Sequence, residues 1–159
     1  MAFSWEQRKV GEFCTVTIGE FVIQTKQDDS YPYPVYNGGR SNTGFYNEFN
    51  QTGQKVIISA RGANAGYVNR CKTPFWAGNS CYSIGAMDST NWKFLYHVLK
   101  NQEQNLIGDQ QAANIPSVSK EQVLKTSILM PSVEEQGQLT ILFDSLDTLI
   151  TLHQRKGLR

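Results

Sequence analysis

Two stretches of the chain set hydrogen-bonding side chains, glycines and aromatic rings side by side. The first is Tyr36-Asn37-Gly38-Gly39-Arg40-Ser41-Asn42-Thr43-Gly44-Phe45-Tyr46-Asn47. The second runs Ser59-Ala60-Arg61-Gly62-Ala63-Asn64-Ala65-Gly66-Tyr67 and resumes at Trp76-Ala77-Gly78-Asn79-Ser80. An Asn amide carries a donor and an acceptor and can pair with the edge of an adenine, and an Arg fork can pair with a guanine. Glycine lets backbone approach a phosphate closely. Lys26, Arg40, Arg61, Arg70 and Lys72 add local positive charge suited to phosphates. Tyr36, Asn37, Asn42, Asn47, Asn64 and Asn79 complete the candidate set, with Asn42, Asn47 and Asn64 as base readers. Blander readings exist: Asn37-Gly38-Gly39 is an ordinary turn, Phe75 and Trp76 read as core, and Asn79 as a local cap. Arg61 has no such reading, because it follows a buried-type strand almost directly. This chemistry describes a polar-loop β-domain that binds a hydrogen-bonding ligand; DNA, RNA and carbohydrate all fit it.

The chemistry that is missing narrows the field. The sequence has no G-x-x-x-x-G-K-[ST] loop, no strand–G-x-G-x-x-G–helix unit and no G-x-S-x-G elbow. It has no C-x-x-C or H-E-x-x-H pattern. His97 and His153 are the only histidines, and both fall in predicted helices, where they read as surface or packing residues rather than catalytic bases. No catalytic residue, metal ligand or cofactor is expected. Lys plus Arg number 15 and Asp plus Glu 14, a net charge of +1, which excludes a polybasic coat that holds nucleic acid by bulk charge. Neutral polarity dominates instead: 11 Asn and 13 Gln stand beside 12 Ser and 11 Thr. No apolar run reaches the length of a membrane span, and Met1–Lys9 lacks the apolar core of a signal peptide. Cys14, Cys71 and Cys81 are odd in number and widely spaced, so a Cys71–Cys81 disulfide is disfavoured and a reducing cytoplasm is expected.

The elements that must position these residues fall into two parts. Up to about residue 86 the chain reads as short strands cut by turns. Val56–Ala60 is a buried-type strand, and Tyr67–Arg70 and Cys81–Ile84 alternate more loosely. Tyr31-Pro32-Tyr33-Pro34 reads as an edge or a loop. Beyond residue 88, Phe94, Leu95, Val98 and Leu99 give the apolar face of a helix near 91–105, capped by Asp88 or Ser89 and stopped by Gly108. Ser119 with Gln122 forms a capping box for a short helix near 120–124, and Ile128–Met130 a strand ended by Pro131. Ser132 with Glu135 is a second capping box. Behind it Leu139, Leu142, Leu146 and Leu149, continued by His153, form a heptad seam. That helix either docks on its own β-domain or pairs with another helix. The expected fold is α+β: a β-rich domain with short helices over 1–131, then a long C-terminal helix over 132–159 available for coiled-coil pairing.

In their order along the chain, several pieces resemble the specificity subunit of type I restriction-modification enzymes. They are Trp5–Glu12, Tyr33–Gly39, Ile57–Gly66, Trp76–Ser80, Ala113–Ser119, Leu129–Gln136 and Leu146–Lys156. The resemblance implies a target recognition domain followed by one conserved-region helix, half of a full two-domain subunit. It implies a non-catalytic protein that directs an adenine methyltransferase subunit, and an endonuclease/translocase subunit, to a site on double-stranded DNA. A homodimer through the C-terminal helix would restore the two-half arrangement. The alternative is a glycan- or other ligand-binding β-domain, or a decoy that binds the methyltransferase subunit without reading DNA.

Overall fold

Residues buried on both faces of a sheet need no alternation, and Val56-Ile57-Ile58 is such a run. The computed structural model describes residues 4–87, 89–108 and 115–158. Its strands are β1 (Glu6–Lys9), β2 (Cys14–Ile18), β3 (Tyr33–Tyr36), β4 (Gly44–Tyr46), β5 (Lys55–Ser59), β6 (Val68–Cys71), β7 (Trp76–Ala77), β8 (Cys81–Ala86) and β9 (Ser127–Met130). Its helices are α1 (Trp92–Asn101), α2 (Glu103–Gly108), α3 (Lys120–Lys125) and α4 (Val133–Gly157). The α+β class and the long C-terminal helix are as the sequence predicts.

Four strands form an antiparallel sheet in the order β2-β8-β5-β6. Successive side chains on a strand point to opposite faces. Val16, Val56, Ile58, Val68, Tyr82 and Ile84 therefore share one face, packed on Phe94, Leu95 and Leu99 of α1 and Val123 of α3. Ile57, Cys71 and Cys81 take the other face, where they meet Phe75, just before β7, and Ala77 and Tyr36 of a three-stranded sheet ordered β4-β3-β7. Helices, large sheet and small sheet make three layers. The three cysteines are buried and free. Cys81 donates its thiol to the Tyr36 carbonyl at 3.2 Å, and Cys71 donates to that of Thr73 at 3.4 Å.

Three local expectations change. Pro34 lies in the central strand of the small sheet rather than at an edge. Proline is tolerated there because β7 pairs with β3 only at Val35 and Tyr36, beyond the ring that lacks an N–H. Helix α1 is capped by Asn91, whose side chain accepts from the N–H groups of Lys93 and Phe94, and Ser89 is not the cap. Asp88, Ala113 and Asn114 lie outside the described residues. The helix predicted near 91–105 is two: α1 stops at Asn101, and Gly108 closes α2.

The capping boxes at Ser119/Gln122 and Ser132/Glu135 both form. Strand β9 pairs antiparallel with β1, from Glu6↔Met130 to Lys9↔Ser127, and α4 starts three residues past β9. At 1.5 Å per residue its 25 residues extend about 37 Å. Gln136 and Thr140 of its first half are buried, and Leu139 and Phe143 are half-buried. The Gln136 amide accepts from the Asn91 N–H at 2.9 Å and donates to the Pro131 carbonyl at 3.2 Å. From Ser145 to Leu158 every residue is exposed. The helix thus divides the two readings of the seam: its first half docks on α1 and its second half is exposed. No helix among the described residues is long and apolar enough to cross a membrane.

Candidate nucleic-acid interface

The two polar segments meet because of how three strands end. β3 runs parallel to β7, with Tyr36 opposite Ala77, so Asn37-Gly38 and Gly78-Asn79 leave the small sheet side by side. The Asn37 side chain accepts from the Ser80 N–H at 3.1 Å. Gly78 is needed there, since a Cβ would sit 2.1 Å from the Asn37 amide oxygen. β5 pairs with β8 up to Ser59↔Cys81, so Ala60 emerges beside Ser80 and its N–H donates to the Ser80 carbonyl at 2.8 Å. Ser59 Oγ donates to the Gly39 carbonyl at 3.3 Å. A further segment joins where Gly62 N–H donates to the Pro116 carbonyl at 3.0 Å and Val118 N–H to that of Ala60 at 2.8 Å. Four stretches of chain far apart in sequence form one surface.

Arg40 stands at the front of it, exposed. Its Nε donates to Asn64 Oδ1 at 3.2 Å, and its guanidinium carbon lies 5.5 Å from the centre of the Tyr67 ring. The Asn69 amide fixes the Arg40 backbone by donating to its carbonyl at 3.0 Å. Lys100 of α1 places its ammonium 3.8 Å from the same Tyr67 ring and pairs with Glu103 at 2.5 Å. Arg61 is exposed and has no ion pair among the described residues.

Of the sequence candidates, Tyr36, Asn37, Arg40, Arg61, Asn64 and Asn79 come together here. Tyr36 is half-buried beneath the surface, edge-on to Phe75 at 5.7 Å. Burial pushes its phenol up to about 12, helped by the charge and hydrogen bond of Cys71. Asn42 stays within the β3–β4 turn, donating to the Gly44 carbonyl at 3.4 Å. Lys26 and Asn47 lie by β4: Asn47 follows the strand, and Lys26 ends a short turn whose neighbour Ile23 accepts from the Tyr46 hydroxyl at 2.9 Å. Lys72 follows β6 at the end of the β5–β6 hairpin opposite Arg61. Arg70 shares the helix-side face of β6 with Val68, 4.3 Å from the Tyr96 ring centre and 3.6 Å from Asp144 of α4. Sequence reasoning missed Asn69 and Lys100. The alternation of β6 carries a signal for Asn69, one step out of phase with Val68; nothing local marks Lys100, which reaches Tyr67 only through packing of α1.

Away from these loops, His97 bridges α1 and α4. Its Nε2 lies 2.9 Å from Asp144 Oδ1 and its Nδ1 3.9 Å from Asp147 Oδ2. Burial works to raise the Asp144 carboxyl, but the His97 hydrogen bond and the charges of Arg70, His97 and Lys93 hold it below the usual carboxylate value. His153 is exposed near the free end of α4. The loop surface gathers hydrogen-bond donors, acceptors and two exposed arginines, Arg40 and Arg61.

The family model described as "Type I restriction modification DNA specificity domain" matches residues 4–158. The chain belongs to that family. It is 28% identical over 148 residues to the type I restriction enzyme EcoprrI specificity subunit of Escherichia coli, a match covering 91% of this chain and 36% of that protein. Its fold is similar to the crystal structure of the type I restriction-modification S subunit from M. genitalium, with a TM-score of 0.82 at 21% identity. That likeness covers 92% of this chain and 40% of the other. The HsdS subunit from Thermoanaerobacter tengcongensis gives a TM-score of 0.74 at 18% identity, over 96% of this chain and 39% of that one. The chain spans little more than a third of the E. coli relative it matches.

Proposed function

We propose that this chain is a non-catalytic DNA sequence-recognition module of a type I restriction-modification system. Residues 1–131 are its target recognition domain and 132–159 its conserved-region helix. The observation that carries this reading is the convergence of the glycine- and amide-rich loops around Arg40, Asn64 and Arg61 on one exposed surface, in a member of the DNA specificity family. In the cell the module would sit in the cytoplasm on double-stranded DNA, directing an adenine methyltransferase subunit and an endonuclease/translocase subunit. Arg61, exposed and free of ion pairs among the described residues, suits a backbone phosphate. Co-expression with the neighbouring methyltransferase gene, followed by genome-wide mapping of methylated adenines, tests the reading. One recurrent motif is the expected result; methylation without a motif, or none, overturns it.

One recognition domain reads one half-site. Pairing through Leu139, Leu142, Leu146, Leu149 and His153 of α4 would join two copies about a two-fold axis and imply a palindromic bipartite site. Exposure of Leu142 at 52%, Leu146 at 46% and Leu149 at 61% favours this pairing, since a free helix seldom keeps such a stripe in water.

A further inference from the structure

We propose that Arg40 is a base-reading residue that recognises a guanine through its two terminal nitrogens, and that Asn64 and Tyr67 are its positioning residues. The proposal rests on the DNA-recognition reading above and assigns the chemistry of one contact within it.

Four observations point the same way. Asn64 occupies Nε and nothing else: the hydrogen bond at 3.2 Å leaves both terminal nitrogens without a hydrogen bond or ion pair among the described residues. Tyr67 lies 5.5 Å from the guanidinium carbon and supports it from the side. The backbone of Arg40 is fixed by Asn69, and the carbonyl of the preceding Gly39 by Ser59. The residue is nonetheless exposed, at the tip of a loop whose neighbours Ser41 and Thr43 are also exposed.

A guanidinium held at its root with its outer pair of donors free matches the O6 and N7 acceptors that guanine shows in the major groove. Ordering the fork in advance also removes much of the entropy that a free Arg would lose on binding. Among the described residues, the other cations near this surface lack this combination. Arg70 is committed to Asp144 and Tyr96, and Lys100 to Glu103 and the Val68 carbonyl. Among the described residues Arg61 has no side-chain hydrogen bond that would aim it, which fits a phosphate, where only charge and reach are required. Asn64, by spending its oxygen on Arg40, acts through that arginine rather than on a base.

The experiment selects sequences from a randomised duplex pool at low ionic strength, where phosphate contacts keep a half-site bound. It uses the wild-type chain, Arg40→Ala, Arg40→Lys, Asn64→Ala and Arg61→Ala, each first checked for an unchanged melting temperature. The wild type is expected to enrich a motif with one G·C pair whose preference falls roughly 5- to 100-fold in Arg40→Ala. Arg40→Lys keeps the charge but not the fork, so it should lose the same preference while keeping the wild-type salt dependence. Asn64→Ala should weaken preference at that position alone, and Arg61→Ala should lower affinity for all sequences equally. Replacing the guanine by 7-deazaguanine removes N7; wild type should lose affinity, and Arg40→Ala should not respond. A uniform loss of affinity in Arg40→Ala with the motif unchanged would make Arg40 a phosphate holder and overturn the proposal while leaving DNA reading intact. Failure of the wild type to enrich any sequence would overturn both.

Discussion

Arg40 and Arg70 are separated by the phase of one strand. On β6, Asn69 and Cys71 point toward the small sheet, and Val68 and Arg70 toward the helices. Arg40 is tied to the first pair through Asn69, whereas Arg70 joins Asp144 and Tyr96. Asp144 gives this second site a pH signature. Its folded value is held below the unfolded 3.8, so the carboxylate contributes stability that is fully present above 3.8 and is lost as pH falls through the folded value. Urea unfolding of Asp144→Asn should therefore show a deficit against wild type at neutral pH that closes in strong acid. At the interface, Gly78→Ala should cost about 1–3 kcal/mol, because its Cβ would force Asn37 off the Ser80 N–H. Calorimetry would read this as a lower melting temperature. Burial pushes the Cys14 and Cys81 thiols up to about 12, against a lowering by Arg8 in one case and by the Gly78 backbone in the other. Thiolate is the reactive form, so iodoacetamide should leave both unmodified in the native protein and label them after denaturation. The Asn-rich and glycine-rich segments were legible in the sequence; which nitrogen of which side chain each neighbour takes was not, because those partners come from elements up to 43 residues away.

Helix α4 carries two stripes roughly a third of a turn apart. Gln136, Thr140, Phe143 and Asp144 face the domain, and Leu142, Leu146, Leu149 and His153 face outward. Heptad spacing of leucines revealed the second stripe from sequence alone. The docked stripe stayed hidden because it uses polar residues: Gln136 substitutes hydrogen bonds to Asn91 and Pro131 for apolar contact. Glutamate at Leu142 and Leu149 together should leave the circular dichroism of the domain unchanged and, if the helix pairs, convert a dimer into a monomer by light scattering. A wild type monomeric at high concentration would count against pairing. Ser132→Ala removes the acceptor for the Glu135 N–H and should cost about 1 kcal/mol in chemical denaturation. Both capping boxes were readable because their chemistry spans four residues. The cap of α1 is not legible in the sequence because four cap-forming residues, Asp88, Ser89, Thr90 and Asn91, crowd the same approach, and only packing of Phe94, Leu95 and Leu99 fixes the phase of the helix. Pro34 misled for a related reason: strand centrality is a property of the whole sheet, and β7 borders only half of β3.

At the level of the molecule, a net charge of +1 cannot supply affinity by bulk attraction. Binding by one copy should be weak and its salt dependence shallow, with a slope set by a few phosphate contacts; a fluorescence-anisotropy titration across a salt series measures it. The α+β class followed from the shift between strand-like and helix-like patterns near residue 88, whereas the three-layer stacking depended on which face each strand residue takes. The ladder between β1 and β9 has a consequence of a different kind. Four residue pairs stitch the opening strand to the strand that immediately precedes α4. The proposed recognition surface lies between those two strands, in a closed cassette with adjacent entry and exit. Exchanging it for another of unlike sequence would leave the stalk, and whatever the stalk engages, geometrically undisturbed.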